Sequence, residues 1–168
     1  LAAAKYVEVT GDDSIWQEEV GFVEEEPLRP EEQERFGIPR VSAEKASILE
    51  HCWRAIDRSL RFGEHGLPLM GSGDWNDGMN KVGWQGSGES VWMGWFLYTI
   101  LTQFAPIAEA RGDSERARRY SREAKRLARA IDDSAWDGEW YRRAYFDDGT
   151  PLGSGGNDAP PARLAFYS

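Results

Sequence analysis

Cysteine and histidine are scarce in this sequence, with one cysteine and two histidines among 168 residues. A single cysteine excludes a framework of intrachain disulfides and fits a reducing compartment. Cys52 falls within a helical pattern, where a small buried hydrophobe is a far more common role than a nucleophile. The two histidines, His51 and His65, offer too few nitrogen and sulfur ligands for a zinc site.

Basic charge and long apolar runs are also in short supply. The net charge of −9 argues against nucleic acid and anionic membrane surfaces as partners, since both require basic patches. No apolar run is expected to span a membrane, and residues 1–6 do not resemble a signal peptide. The first residue is not Met, so we expect a piece of a longer polypeptide. We expect a cytoplasmic location, either free or within an inner-membrane protein.

Tryptophan and glycine, in contrast, are abundant, with 8 and 18 residues. They meet carboxylates most densely in residues 66–80, which contain Asp74, Trp75, Asn76 and Asp77. An indole face suits a pyranose ring, and Asp and Asn side chains suit its hydroxyl groups. Since loops on a rigid scaffold carry most binding chemistry, we interpret this stretch as a sugar site.

The first third of the chain is expected to contain little regular structure before one helix. Residues 1–41 form an acidic, Pro-punctuated segment, which we expect to be irregular apart from a short extended piece between Trp16 and Val23. Apolar side chains then recur at steps of three and four over residues 42–62, which predicts a helix capped by Ser42.

Further along the chain, the pattern predicts a loop, two helices and a short β element. These are a loop over residues 63–90, an apolar helix over 90–103, an amphipathic helix over 114–132 and a two-stranded element within 135–150. Pro106 is expected to end or kink the apolar helix, after which the pattern resumes to Ala110. Asp113 or Ser114 caps the amphipathic helix.

An inner apolar helix that alternates with amphipathic helices indicates an all-α helical toroid with long aromatic and Gly-rich loops. Three long helices cannot close such a ring, so we expect residues 42–157 to be a fragment of the catalytic domain. Residues 1–41 would belong to the same domain. Residues 158–168 have no clear pattern and are expected to be an atypical, truncated tail.

Carboxylates are the candidates for catalysis in this loop. A glycosidase normally needs two of them, and Asp74, Asp77 and Glu89 are available. Asp74 and Asp77 are too close in sequence to reach opposite faces of one glycosidic bond, so one of them is expected to be structural. Glu89 precedes a helix, which suits either stabilisation of the helix start or a role in the site.

The amino-acid sequence of this loop resembles that of a known protein family. Gly73-Asp74-Trp75-Asn76-Asp77-Gly78-Met79-Asn80, followed by Gly88-Glu89-Ser90-Val91-Trp92, strongly resembles glycoside hydrolase family 94. This family contains cellobiose, chitobiose and β-1,2-oligoglucan phosphorylases and the phosphorylase-like part of cyclic β-1,2-glucan synthases. The first motif is most similar to the cyclic synthase branch. Residues 65–69 and 136–153 resemble the same family, so the resemblance covers roughly residues 42–157.

The resemblance implies an (α/α)6 barrel that performs inverting phosphorolysis of β-linked glucans. It implies that Asp77 is the general acid and that Trp75 contacts sugar. Further candidates for substrate binding are Asp74, Asn76, Glu89 and Trp140, with a structural role favoured for Asp74 and packing an equal alternative for Trp140. Inorganic phosphate is the co-substrate, and no metal or other cofactor is expected.

The resemblance also implies what these 168 residues lack. The phosphate pocket of the family uses residues outside this span, including a His beyond Gly153, so the fragment alone is expected to be inactive. Expected partners are β-glucan oligosaccharides, phosphate, the rest of the parent polypeptide and a second copy in a homodimer. Two alternatives stay open: a hydrolase on the same toroid, and a non-catalytic glucan-binding module.

Overall fold

The computed structural model describes residues 1–29, 32 and 35–153, with the backbone but not the side chain of Asp77. The expected tail at residues 158–168 and the end of the preceding Gly-rich loop lie outside the described residues. The chain divides into two compact units, which are Leu1–Arg58 and a unit that begins at Ser59.

The first unit contains two helices and a two-stranded sheet. Its elements are α1 (Ala2–Thr10), a 3-10 turn (Asp13–Gln17), β1 (Glu19–Glu24), β2 (Arg40–Ser47) and α2 (Ile48–Ser59). The expectation of an irregular segment over residues 1–41 was therefore wrong for α1. Its alanine-rich start favours a helix, and Gly11, with φ of 71°, provides the left-handed residue that ends it. The expected extended piece corresponds to β1.

The helix predicted from Ser42 begins six residues later, at Ile48. Residues 42–47 instead belong to β2, which pairs antiparallel with β1 so that Glu19 faces Ser47. The Ser42 hydroxyl donates to the Glu24 carboxylate rather than capping a helix. Ser47 Oγ accepts the Glu50 N–H at 3.2 Å. Cross-strand pairing, which a helical periodicity does not register, decides the conformation of these residues.

Cys52 lies in α2 and is half-buried. Burial raises the pKa of its thiol, because the uncharged form is favoured away from water. A raised pKa lowers the thiolate population, so this cysteine is a poor nucleophile.

The second unit is built on a hairpin of two long helices, as the sequence predicts. These are α3 (Val91–Ala110) and α4 (Ser114–Ala130), which pack against each other. Asp113 caps α4 by accepting the Arg116 N–H at 3.0 Å. The apolar face of α4 is buried as expected, with Ala117, Tyr120, Ala124 and Leu127 in the core.

The helix α3 differs from expectation in two respects. It runs without interruption through Pro106, and the flanking Phe104, Ala105 and Ala108 are all buried, so packing on both sides of the proline holds the helix together. It was expected to be an inner helix, but the described residues do not enclose it fully, because Trp95 and Phe96 are 42% and 41% exposed.

Within the described part of the chain, α3 is also the one helix with the length and composition to cross a membrane. The sequence had predicted no apolar run of this kind. Buried core helices pass the same test, and 33% of the apolar window of α3 is buried.

Three very short strands form the β element of the second unit. The strands β3 (Glu89–Ser90), β4 (Ala144–Tyr145) and β5 (Pro151–Leu152) pair antiparallel in that order. The element is therefore three-stranded rather than two-stranded. The added strand, β3, directly precedes α3 and ends the loop at residues 63–90, so the sheet connects this loop to β4 and β5.

Candidate functional site

The loop at residues 63–90 is long, as predicted, and its two ends are hydrogen-bonded to each other. Met70 N–H donates to the Gly88 carbonyl at 2.8 Å, and Ser90 N–H donates to the Pro68 carbonyl at 2.9 Å. A small apolar cluster beneath it contains Met70, Met79 and Val82. These hydrogen bonds and apolar contacts hold the loop in a defined conformation.

Asp74 is the most completely engaged carboxylate of the motif. Its side chain is fully buried and forms an ion pair with Arg143, with 2.7 Å between Oδ2 and Nη2. The Ser90 hydroxyl donates to Oδ2 at 2.6 Å, and the Asn76 N–H donates to Oδ1 at 2.9 Å. These bonds agree with the structural role favoured for Asp74, while its substrate-binding role stays a prediction.

Asn76 and Asp77 form the start of the 3-10 turn Asp77–Met79. Asn76 Oδ1 accepts the Gly78 N–H at 3.0 Å, so this oxygen caps the turn. Asp77 therefore follows a residue that is fixed through both its backbone and its side chain. The roles of Asn76 in substrate binding and of Asp77 in proton transfer stay predictions.

Trp75 is held at the surface between these fixed residues. Its side chain is 77% exposed, which rules out core packing within the described residues. Its ring lies near the Trp92 ring, with centroids 6.1 Å apart and an interplanar angle of 24°, and Trp92 stacks on Phe96 at 5.3 Å. These rings line an open cleft of about 540 Å³ with Gly73 and Met93. An exposed indole beside a cleft has the form that a sugar platform needs.

Glu89 is buried and points back into the loop. Its carboxylate accepts the backbone N–H of Leu67 at 3.0 Å and that of His65 at 3.2 Å. It also lies 2.5 Å from His65 Nδ1, and the His65 ring stacks on Tyr145 with centroids 3.7 Å apart. A Cβ atom at Gly63 would come within 2.4 Å of the Glu89 Cδ atom, so only glycine fits there. Substrate binding by Glu89 stays a prediction.

A third carboxylate, Asp147, holds the second half of the loop. It accepts the backbone N–H groups of Gln85, Ser87 and Gly88 at 2.8–2.9 Å. Partial desolvation would raise its pKa, but the three backbone hydrogen bonds together outweigh that effect and hold the pKa of Asp147 below its ordinary value.

Replacement of Asp147 by Asn is expected to loosen residues 85–88 in a pH-dependent manner. The folded-state pKa is depressed, so the stabilisation is complete above the unfolded-state pKa of about 3.9 and disappears as the pH falls through the folded-state value. Hydrogen exchange of the Ser87 and Gly88 amides should be faster in the variant at pH 7, and the difference should shrink as the pH is lowered below about 4. A difference that is unchanged at low pH would contradict the charge-based account.

Trp140 lies in the segment between α4 and β4. Its indole N–H donates to the Gly153 carbonyl at 2.7 Å, which fixes the ring against the backbone. Nearby, Tyr141 contacts Trp95 and Trp136 edge-on, with centroid distances of 5.3 and 5.0 Å. The role of Trp140 in substrate binding stays a prediction.

Sequence reasoning missed Arg143, His65 and Asp147, which hold the loop in place. A usable signal existed for Arg143, because a carboxylate assigned a buried structural role needs a cation, and the segment of alternating aromatic residues contains two arginines. Among the described residues, no cluster of three or more His, Cys, Asp or Glu side chains could hold a metal ion.

Comparison with known proteins adds a family relationship to this geometry. Residues 1–163 match the glycosyl hydrolase 94 superfamily, catalytic domain. The chain is 46% identical over 157 residues to cyclic beta-(1,2)-glucan synthase NdvB of Rhizobium meliloti (strain 1021), which covers 93% of this chain and 6% of that protein. It is 37% identical over 145 residues to 3-O-beta-D-glucopyranosyl-beta-D-glucuronide phosphorylase of Paenibacillus borealis, with 86% and 17% covered. Solabiose phosphorylase from the same organism is 35% identical over 151 residues, with 89% and 17% covered. The chain thus spans less than a fifth of each of these relatives.

Proposed function

The chain belongs to the glycosyl hydrolase 94 superfamily, and from this membership we propose that it forms part of a carbohydrate phosphorylase domain. The domain would be an (α/α)6 toroid that performs inverting phosphorolysis of β-linked glucans. The identity of 46% with a cyclic glucan synthase supports a synthase-like parent protein. We also propose, without support from the comparisons, that the domain lies in the cytoplasm. Relatives named as phosphorylases support the reaction class.

In the proposed reaction, an oxygen of inorganic phosphate attacks the anomeric carbon of a β-linked glucosyl unit. The bond from that carbon to the glycosidic oxygen breaks, and Asp77 donates its proton to the departing oxygen. The products are α-glucose 1-phosphate and a shortened glucan. Phosphate supplies the nucleophile, so one protein carboxylate suffices.

The observation that supports this assignment best is the complete engagement of the other two carboxylates. Asp74 is ion-paired with Arg143, and Glu89 accepts hydrogen bonds from the backbone of residues 65 and 67. A hydrolase would require a second carboxylate to activate water, and neither of these is free for that task. Phosphorolysis needs only one protein acid, the role that we propose for Asp77.

A second candidate function is glucan binding without catalysis, which the exposed Trp75 beside its cleft also supports. One assay separates the readings: a full-length protein that carries this chain is incubated with β-1,2-glucan or β-1,4-glucan, with and without phosphate. We expect glucose 1-phosphate with phosphate and no reducing sugar without it. Reducing sugar in the absence of phosphate would indicate a hydrolase, and no product in either condition would leave only binding.

A further inference from the structure

We propose that Arg143 is a positioning residue for the proton donor Asp77, an inference that rests on the proposed function. Arg143 lies 66 positions beyond Asp77, immediately before β4, and its side chain is only 4% exposed. Its guanidinium contacts Asp74, which lies at the start of the motif that contains Asp77.

The geometry around the guanidinium joins two separate parts of the site. Nη2 donates to Asp74 Oδ1 at 2.8 Å, and Nη1 donates to Ser90 Oγ at 3.2 Å. Ser90 is itself the N-cap of α3, because its Oγ accepts the Met93 N–H at 3.1 Å. One planar cation therefore connects the motif loop to the N-cap of α3. The forked guanidinium of Arg has donors for both partners, whereas the ammonium of Lys is a single point charge.

From Asp74, the same chain of bonds continues to the residue before Asp77. Asp74 Oδ1 receives both the Arg143 donor and the Asn76 N–H. Asn76 Oδ1 in turn accepts the Gly78 N–H, so residues on both sides of Asp77 are held. Movement of Arg143 would shift Asp74, then Asn76, and with them the backbone that carries Asp77.

The backbone of Arg143 is also fixed, which makes it a firm anchor. Its N–H donates to the Leu152 carbonyl at 2.8 Å, and its carbonyl accepts the Val91 N–H at 3.2 Å. A Cβ atom at Gly153 would lie 3.1 Å from the Arg143 nitrogen, so the neighbouring strand packs closely against it.

The test compares two substrates in a full-length protein that carries this chain. The departing oxygen of a β-glucan is a poor leaving group and needs the proton of Asp77, whereas fluoride leaves a β-glucosyl fluoride as the anion without one. Since a displacement of about 1 Å can lower a rate by about 100-fold, Arg143→Lys should lower kcat on glucan by about 10-fold to 100-fold. KM for glucan and the rate with the fluoride should each change by less than about threefold.

Arg54→Lys is the matched control, because Arg54 pairs with Glu44 and Glu50 at the surface and should leave both rates unchanged. A loss of the circular dichroism signal would show that Arg143→Lys does not fold. In that case the same comparison of two substrates is made with the double variant Asp74→Asn/Arg143→Gln, which removes both charges of the ion pair together. Equal losses on the two substrates, a raised KM with unchanged kcat, or no effect would each overturn the proposal. A parent protein that makes no glucose 1-phosphate would overturn the proposed function, and this inference with it.

Discussion

The variant Asp77→Asn is expected to lower the rate of glucan phosphorolysis by about 100-fold to 10,000-fold, the usual contribution of a positioned general acid. Asn has nearly the same shape as Asp, but its amide is not acidic and cannot protonate the departing oxygen. The affinity for glucan, measured by tryptophan fluorescence, should therefore stay within about threefold of the unmodified protein.

Two comparisons make the Asp77 result specific. Asp132→Asn, at an exposed position just after α4, should leave the rate unchanged. With a β-glucosyl fluoride, Asp77→Asn should retain most of its phosphorolytic rate, because that leaving group departs unprotonated. An Asp77→Asn variant with unchanged turnover on glucan would remove Asp77 from the reaction.

The second large effect is expected from Glu89→Ala, which should lower the free energy of unfolding by about 3 kcal/mol. The substitution leaves the backbone N–H groups of His65 and Leu67, and His65 Nδ1, without their common acceptor in a buried region. Urea denaturation followed by circular dichroism measures the change in the free energy of unfolding. Glu64→Ala, an exposed neighbour, should change the value by less than about 0.5 kcal/mol.

A double-mutant cycle with Gly63 identifies the contact responsible. Gly63→Ala alone introduces a Cβ atom 2.4 Å from the Glu89 Cδ atom and should be strongly destabilising. In Gly63→Ala/Glu89→Ala the clash is relieved, so the combined loss should be smaller than the sum of the two single losses. Additive losses would show that Glu89 stabilises the loop without this close packing.

Local periodicity was sufficient to predict the helical hairpin. Steps of three and four placed the buried residues of α4, among them Tyr120 and Leu127, on one face, and Asp113 has the side chain of a helix cap. Interactions within one or two helical turns determine these features, so they can be inferred from neighbouring residues alone. The (α/α)6 toroid, in contrast, rests on the family membership and stays a proposal.

Sequence prediction failed where residues distant in the chain decide the structure. Residues 42–47 follow a helical periodicity, but they form part of the strand β2 because they pair with β1. The two-residue strand β3 is defined by its pairing with β4 and by a bridge between Glu89 and Leu69. Both depend on hydrogen bonds between segments, which a periodicity within one segment does not reveal.

The same contrast between local and distant interactions applies to the candidate site. The motif at residues 73–80 drew attention to Asp74, Trp75 and Asp77 through composition and resemblance. Its support could not be found locally, because Arg143 lies 69 positions from Asp74, and Asp147 lies 59 positions from Gly88. The sequence thus indicated candidate site residues, while the structure identifies what holds the loop that carries them.

The most direct test of phosphorolysis with inversion is the anomeric configuration of the first sugar phosphate that forms. A full-length protein that carries this chain is mixed with β-glucan in phosphate buffer and followed by ¹H and ³¹P nuclear magnetic resonance. We predict that α-glucose 1-phosphate appears first. Initial formation of the β anomer, or of free glucose without a sugar phosphate, would contradict the account.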